Sequence, residues 1–179
     1  WSSDVCSSDL LTLPELPGAL LEQGVTLRRR GDDDADFMRT LFFSYRQPQL
    51  QGISGSTVDG LALLEQQYQL QCRHYQQLSG PLAWGVVEMA GQPVGRLYLQ
   101  QREHSLHLLD LILLPAFQQQ GLGSALLRAV QAQARQQGAA GVSLYVEMTN
   151  PRAMQLYQRL GFVPMAMQGV HLHMLWSPT

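Results

Sequence analysis

The stretch QQQGLGSALL, residues 118–127, decides how the rest of this chain is interpreted. Two glycines one residue apart, Gly121 and Gly123, stand where an apolar helical pattern begins. A glycine lets a ligand approach the main chain without a Cβ in the way, and the start of a helix offers unpaired N–H groups that attract phosphate. The stretch therefore predicts a diphosphate cradle built from main-chain amides. The alternative is a plain tight turn before a closely packed helix.

Other phosphate-binding and catalytic motifs do not fit the sequence. A Walker-type loop needs a Lys, and all 12 basic residues of this chain are Arg. A dinucleotide GxGxxG motif would need a third glycine at Leu126. The chain has no GxSxG elbow and no Cys/His pair spaced for a metal. His171 and His173 lie on one predicted strand, but without a third ligand we interpret them as a solvated strand face rather than a metal site.

Composition limits the class of protein. The length of 179 residues suits one domain, and a formal charge of −2 argues against nucleic-acid binding. The sequence contains no apolar run of the ~18 residues that a membrane span needs. Two cysteines are too few for a disulfide scaffold, which favours a reducing, cytoplasmic compartment. We expect residues 1–23 to be an N-terminal tail, partly disordered or foreign to the native protein, with 11–23 loosely attached, and residues 24–179 to form a single domain.

The pattern of apolar residues predicts the element order β-α-α-β-β-β-α-β-α-β-β. A helix after the acidic run at 32–34 is followed by a loop at 47–56 and a second helix at 57–78. A hairpin turns at Gly91, and the apolar run LLDLILLP looks buried on both faces. Asn150 and Pro151 mark a helix start. We expect an α/β (α+β) fold with a mixed, mostly antiparallel twisted sheet and helices on both faces.

Two motifs together resemble those of the GCN5-related N-acetyltransferase (GNAT) family. LPAFQQQGLGSALL matches the family pattern Q/R-x-x-G-x-G/A at Gln118, Gly121 and Gly123. NPRAMQLYQRLGF matches the later motif N-x-x-A-x-x-L-Y-x-x-x-G-F, which begins at Asn150 and includes Tyr157. The element order resembles the family fold from about residue 24 to 176, so residues 24–179 are identified as one N-acetyltransferase domain of a bacterial member whose substrate is unassigned.

The resemblance implies acetyl-CoA as co-substrate, bound between the strands LLDLILL and VSLYVEM. It implies main-chain contacts to the pantetheine arm from Leu111, Ile112 and Leu113, a side-chain contact from Asn150, and Tyr157 beside the sulfur. It further implies a pyrophosphate site formed by Gln118, Gln119, Gln120, Gly121, Leu122, Gly123 and Ser124. Many relatives carry a basic residue in this loop, whereas Gln119 and Gln120 are neutral. We therefore expect weak cofactor affinity, micromolar or weaker, that changes little with salt.

The catalytic roles are hypotheses with open alternatives. Tyr157 would protonate the leaving thiolate, or else it is an aromatic packed on the sheet. Asp110 interrupts an apolar run, so its carboxylate either removes the ammonium proton as a base or tethers the structure through hydrogen bonds. Glu147 is the rival base, or else an ordinary exposed strand end. Tyr145 stands where relatives that modify peptide N-termini have Glu. Possible acceptor contacts are Arg46, His74, Tyr75 and Tyr98.

The resulting prediction is transfer of an acetyl group from acetyl-CoA to a primary amine of a small molecule or protein, by direct attack in a ternary complex. The alternative is a non-catalytic acyl-CoA-binding or regulatory module of the same fold. We expect a cytoplasmic monomer or homodimer, with neither nucleic acid nor membrane as a partner.

Overall fold

A computed structural model describes residues 10–50 and 57–178, with the main chain alone at 49–50 and 57–59. The helices are α1 (Gly18–Glu22), α2 (Ala35–Leu50), α3 (Thr57–Gln76), α4 (Leu122–Gln136) and α5 (Pro151–Arg159). The strands are β1 (Val25–Arg29), β2 (Leu82–Met89), β3 (Gln92–Arg102), β4 (Ser105–Leu113), β5 (Val142–Glu147), β6 (Val163–Gln168) and β7 (His171–Trp176). This order confirms the predicted succession of elements, with α1 added at the front.

The strands form one seven-stranded sheet in the order β1-β2-β3-β4-β5-β7-β6. β4 and β5 are parallel, and the other neighbours pair antiparallel. Parallel neighbours need a crossover connection, which α4 supplies here. The predicted fold class, a mixed and mostly antiparallel sheet, is confirmed.

Each face of the sheet is covered by different helices. Leu122, Leu126 and Val130 of α4 pack with the strand residues Leu97 and Leu144 in the main core. On the opposite face, α2 and α3 contribute Met38 and Tyr75 to a cluster with Val86 and Tyr98. Because successive strand residues point to opposite faces, Leu97 and Tyr98 lie in different cores. Helices on both faces are therefore confirmed.

A bulge separates β4 from its parallel neighbour beyond Leu108. Tyr98 pairs with Asp110 and Leu99 pairs with Leu108, which leaves Leu109 as an extra residue on β4. The register between β4 and β5 ends at Leu108 with Leu144. A bulge bends its strand and increases the local twist. The second halves of β4 and β5 consequently diverge, and the gap between them positions the site described below.

The N-terminal expectation was wrong for residues 11–23. Leu11 and Leu20 are buried in the main core, and Leu10 forms a bridge with Leu82. The Gln133 Nε2 group donates a hydrogen bond to the Thr12 carbonyl at 2.7 Å. This segment is attached because its leucines find an apolar surface on the sheet, which a local pattern does not reveal. Residues 1–9 lie outside the described part of the chain.

The predicted loop at 47–56 was wrong for residues 47–50, because α2 continues to Leu50 with Pro48 inside it. Pro48 has no N–H to donate to the Ser44 carbonyl four residues earlier, and α2 ends two residues after it. Residues 51–56 lie outside the described residues. In the parts that the structure describes, no helix combines the length and the apolar character needed to cross a bilayer.

Candidate active site

The loop before α4 presents a row of main-chain donors that lack an acceptor in the described part of the protein. The flanking amides are satisfied, since Gln118 N donates to Pro115 O at 3.2 Å and Ala125 N donates to Gly121 O at 3.0 Å. Among the described residues, no acceptor is found for the six N–H groups from Gln119 to Ser124. Unpaired N–H groups and the positive end of the helix dipole attract anions. The loop therefore has the donors that an anionic group would need.

The two glycines of this loop have different reasons to be glycine. Gly121 has a φ of 83°, in the left-handed region that favours glycine. Gly123 needs no such freedom, and a Cβ added there would lie 3.8 Å from Leu156 and 4.0 Å from Leu113, which is ordinary contact. The close-packed turn, our alternative for this stretch, explains Gly121 but not Gly123. No described atom of the protein therefore requires glycine at position 123.

Side chains of the glutamine run hold the loop in place. Gln118 Nε2 donates to the Leu113 carbonyl at 2.8 Å, and Gln120 Nε2 donates to the Ala116 carbonyl at 2.7 Å. Gln119 adopts a left-handed φ of 61°, which is uncommon for a residue with a Cβ. The polar ends of Gln118 and Gln120 thus contact the protein main chain. Ligand contacts were predicted for these residues from the sequence, and their side-chain contacts with the main chain were not.

The gap between β4 and β5 forms a cavity of about 250 Å³. Its lining includes Arg46, Tyr75, Asp110, Glu147, Asn150 and Tyr157. The main chain of Leu114 bonds to β3 through Val94 O at 2.8 Å. Because strand residues alternate in direction, Leu111 and Leu113 present their main-chain groups to the gap, whereas those of Ile112 face β3. Of the residues predicted on β4 and at α5, the cavity lining contains Asp110, Leu111, Ile112, Asn150 and Tyr157. Leu113 is absent from the described lining, and the predicted main-chain contact of Ile112 with the ligand was wrong because its main chain faces β3.

The Asp110 carboxylate is held by a buried ion pair. Arg96 Nε donates to Asp110 Oδ2 at 2.9 Å, and a second guanidinium nitrogen donates to the same oxygen. The Tyr75 hydroxyl donates to it as well, at 3.1 Å. The Arg96 side chain is 2% exposed and that of Asp110 is 16% exposed. Because Arg96 and Tyr75 already occupy this carboxylate oxygen, the geometry favours the tether over the base.

This network shifts the pKa of its other members. Burial is the largest single influence and acts to lower the pKa of the Arg96 guanidinium. The charge and hydrogen bond of Asp110, together with Tyr75 and Tyr98, exceed it in sum, so the pKa is raised. Burial, and then the Asp110 charge, raise the pKa of the Tyr75 phenol. Arg96 Nη2 also donates to Gln71 Oε1 at 2.8 Å, which links β3 to α3. Arg96 was not among the residues predicted from the sequence. It could have been found, because it is a charged residue inside the apolar run VGRLYL and Asp110 is an acid inside a second apolar run.

Tyr157 projects from α5 into the cavity. The helix begins at Asn150, whose Oδ1 accepts a hydrogen bond from Ala153 N at 3.1 Å. The Tyr157 ring packs against Phe162 at a centroid distance of 5.7 Å. Within the described part of the chain, the Tyr157 hydroxyl has no hydrogen-bond partner. Burial, and then the Asp110 charge, raise the pKa of this phenol, so it is a neutral donor available to a ligand.

Glu147 is paired across the cavity rather than simply exposed. Arg46 Nη2 lies 2.8 Å from Glu147 Oε1, and His171 Nε2 lies 3.9 Å from the same oxygen. Of the predicted acceptor contacts, Arg46 and Tyr75 line the cavity. Tyr98 is fully buried and its hydroxyl contacts Met38 Sδ at 3.1 Å. His74 is absent from the described lining. No group of three or more potential metal ligands occurs among the residues that the structure describes.

Comparison with known proteins places this geometry in a family. The family model described as "Acetyltransferase (GNAT) family" matches residues 55–162, which is more than half of the chain. The chain belongs to the GNAT family. Among its members, acetyl-CoA is the acetyl donor, in agreement with our predicted co-substrate. No curated protein sequence matches the chain.

Solved structures share the GNAT fold at low sequence identity. The PaiA N-acetyltransferase from Thermoplasma acidophilum, in complex with coenzyme A, has a TM-score of 0.68 at 18% identity, over 86% of this chain and 99% of that one. An acetyltransferase from Thermus thermophilus has a TM-score of 0.62 at 19% identity, over 86% and 97% of the two chains. A spermidine N-acetyltransferase chimera from Vibrio cholerae and hSSAT has a TM-score of 0.58 at 20% identity, over 86% and 95%. These likenesses concern the fold.

The residues present fit the donor that the GNAT family uses. Coenzyme A carries a diphosphate, and the unpaired donors from Gln119 to Ser124 suit that group. The gap at Leu111 and Leu113 offers main-chain hydrogen bonds to an extended arm. The chain is therefore an acetyltransferase of the GNAT family whose own residues are suited to acetyl-CoA.

Proposed function

We propose that this chain transfers an acetyl group from acetyl-CoA to a primary amine of a small molecule or protein, by direct attack in a ternary complex. One observation carries the proposal. Unpaired amides from Gln119 to Ser124 lie on the segment that follows β4, and β4 lines the cavity that contains Tyr157, whose hydroxyl has no protein partner among the described residues. This combination offers a phosphate site and a proton donor on adjoining elements.

Binding of the donor would rest on the main chain. The amides from Gln119 to Ser124 would hold the diphosphate. The hydrogen bond from the Gln118 side chain to the Leu113 carbonyl would hold the loop in place. Leu111 and Leu113 would pair with the pantetheine arm, and an amide on this strand would polarise the thioester carbonyl. The Asn150 oxygen caps α5, so its NH₂ group remains for a ligand contact. The neutral side chains of the loop support our expectation of weak affinity.

The chain's own residues would manage two protons. Acetyl-CoA supplies the activated acyl thioester. The acceptor enters as an ammonium ion and loses one proton before its nitrogen attacks the carbonyl carbon, while the carbon–sulfur bond breaks. Tyr157 would give its proton to the departing sulfur, and the second proton, which the nitrogen loses after attack as it becomes an amide, would return to Tyr157 through solvent. The raised pKa of Tyr157 keeps its phenol protonated. Burial also raises the pKa of thiols, so proton transfer from the phenol to the departing thiolate remains feasible. Glu147 would accept the ammonium proton.

A CoASH-release assay over an amine panel tests the proposal. Replacing Tyr157 with Phe should lower kcat by about 100-fold or more, because a positioned acid typically contributes that much. The dissociation constant for coenzyme A should change less than about threefold, since one hydrogen bond contributes little to the whole. Tyr98→Phe is the matched control, because its hydroxyl contacts Met38 outside the cavity. An unchanged kcat in Tyr157→Phe would exclude the acid role.

One observation favours the non-catalytic module instead. Both carboxylates of the cavity are ion-paired, Asp110 with Arg96 and Glu147 with Arg46. Three results together would show that the non-catalytic module is the correct function. They are binding of coenzyme A, absence of any acetylated amine, and equal binding of coenzyme A by Tyr157→Phe.

We further propose a cytoplasmic location, which Cys72, a free thiol, supports. The oligomeric state, monomer or homodimer, also stays a prediction, with size-exclusion chromatography coupled to light scattering as its test.

A further inference from the structure

The hydrogen bonds of the Asp110 carboxylate all fall on one of its oxygens. Arg96 donates to Oδ2 through both Nε and Nη2, and the Tyr75 hydroxyl donates to the same atom at 3.1 Å. Within the described part of the chain, the other oxygen, Oδ1, has no donor. An ionised carboxylate accepts hydrogen bonds at both oxygens. Oδ1 therefore keeps its capacity to accept hydrogen bonds from a ligand.

This oxygen is accessible from the cavity. Of the buried side-chain nitrogens and oxygens in the residues that the structure describes, Gln133 Oε1 is the one that lacks a hydrogen-bond partner. Asp110 Oδ1 also lacks a partner, so it is not a buried atom. Asp110 lines the cavity, and its side chain is 16% exposed. A ligand in the cavity can therefore contact Oδ1 directly.

The orientation of the carboxylate is fixed by buried neighbours. Arg96 is 2% exposed, and it donates to Gln71 Oε1 at 2.8 Å as well as to Asp110. The Tyr75 ring packs edge-on against the Tyr98 ring at a centroid distance of 5.7 Å. Rotation of the Asp110 side chain would break its hydrogen bonds to both donors. Side chains locked by packing and by supporting hydrogen bonds hold a binding atom in one place.

The Asp110 charge also acts on Tyr157, the proposed proton donor. After burial, that charge is the next largest cause of the raised pKa of the Tyr157 phenol, and both residues line the same cavity. Oδ1 is therefore close to where the reacting atoms would meet. A carboxylate oxygen forms its strongest hydrogen bonds with donors that carry positive charge. An alkyl ammonium group offers such donors, whereas a hydroxyl group or an uncharged arylamine does not.

We propose that Asp110 binds the acceptor, with Oδ1 accepting a hydrogen bond from the ammonium group of an alkyl amine while Oδ2 stays bonded to Arg96. The inference rests on the proposed acetyltransferase function and narrows the acceptor to amines that are protonated at neutral pH. Arylamines, which are uncharged there, are poor acceptors. Asp110 takes no proton in this role, and the ammonium proton passes to Glu147. The nitrogen becomes positive again when it attacks the carbonyl carbon, so the same contact stabilises it until its second proton leaves.

Matched ligands test the charge requirement by binding alone. Benzylamine and the alkyl amines from ethylamine to hexylamine are titrated calorimetrically, at neutral pH, into the wild-type chain saturated with coenzyme A. Each is compared with the alcohol of the same carbon skeleton, and aniline serves as the uncharged amine. The ammonium ligands should bind at least about 10-fold more tightly than their alcohols, because hydrogen bonds to charged groups contribute more than neutral ones. Aniline should bind no better than benzyl alcohol. Equal Kd values for amines and alcohols, or no binding by any ammonium ligand, overturn the inference.

Variants of the ion pair separate ligand binding from a structural role. Asp110→Asn should weaken ammonium binding by at least about 10-fold and leave the Kd values for alcohols and coenzyme A within about threefold. Arg96→Met keeps the carboxylate and removes its cation, so it should retain or strengthen ammonium binding. The combined variant contains no buried charge at this place, so it serves if a single variant does not fold, and it should bind like Asp110→Asn. Asp34→Asn is the control, because Asp34 pairs with Arg28 outside the cavity. Equal weakening of amines and alcohols in the Asp110 variants overturns the inference.

Turnover of the same amines distinguishes the inference from the proposed function. Ammonium binding that Asp110→Asn weakens, in the absence of any acetylated product, supports the site and refutes the enzyme. Acetylation of alkyl amines with the same KM in the wild-type chain and in Asp110→Asn refutes the inference and leaves the proposed function standing. A loss confined to kcat, with KM and the amine Kd unchanged, would identify Asp110 as a base and also overturns the inference.

Discussion

Removing Arg96 should destabilise this protein more than removing any exposed arginine. Arg96→Met deletes a guanidinium that is 2% exposed and leaves the Asp110 carboxylate, 16% exposed, with the Tyr75 hydroxyl as its remaining partner. Breaking a buried ion pair by deleting one partner typically costs about 3–5 kcal/mol. For a domain of this size that loss lowers Tm by about 6–20 °C.

A double-mutant cycle assigns this loss to the pair. Asp110→Asn keeps an acceptor for Tyr75 but leaves the Arg96 charge buried without a counterion, so it should lose a similar amount. The combined variant, Arg96→Met with Asp110→Asn, contains no buried charge at this place. It should be less destabilised than the sum of the single changes by about 1–3 kcal/mol. The bond from Arg96 to Gln71 is lost in both Met variants and cancels in the cycle.

Urea and thermal unfolding followed by circular dichroism at neutral pH give these free energies. Arg39→Met is the matched control, because Arg39 and Glu65 form a pair at 2.7 Å with side chains 51% and 38% exposed. Exposed pairs contribute about 0–1 kcal/mol. If Arg96→Met loses no more stability than Arg39→Met, or if the cycle shows no coupling, the buried pair does not stabilise the fold in the way argued here.

Three further predictions concern other parts of the molecule. Gly95→Ala should destabilise the fold and weaken coenzyme A binding, because the new Cβ would lie 2.5 Å from the Ile112 carbonyl oxygen on β4. Urea unfolding and calorimetric titration of coenzyme A measure the two effects. Gly18→Ala is the control and should change neither, because a Cβ at Gly18 has nothing within 4 Å. Burial lowers the pKa of His107 to about 3, below its usual 6.5, so its contribution to stability is complete above pH 6.5 and is lost as pH falls toward 3. Relative to His107→Gln, the wild-type chain should lose about 1.4 kcal/mol of unfolding free energy between pH 7.5 and 5.5, and parallel pH profiles would contradict this. Gln119→Arg should tighten coenzyme A binding several-fold at low salt and make the Kd depend on salt, whereas the wild-type Kd should change little with salt. Calorimetry at two salt concentrations measures both. A wild-type Kd that rises steeply with salt would refute the expectation that main-chain amides dominate binding.

The helix boundaries around the site could be predicted because their determinants are local. Asn150 caps α5 through its own side chain, and Pro151 follows at the first helical position. Gly121 has the positive φ that the turn before α4 requires. The family resemblance lies in these same stretches, which is why the fold class and the acetyltransferase family were reached from the sequence. The individual contacts of the site residues with a ligand stay predictions.

Tertiary structure decided what each charged residue does. Asp110 and Arg96 lie on neighbouring strands, and the bulge at Leu109 sets the register that brings their side chains together. The alternation of apolar residues does not predict this bulge. Arg46 and Glu147 are 2.8 Å apart although a hundred residues separate them in the chain. The sequence by itself determined the elements and the amide-lined loop, because hydrogen bonding at helix ends and the alternation of strand residues depend on near neighbours. The partners of buried and half-buried charges depend on strand register and on how helices cross the sheet, so only the folded chain decided them.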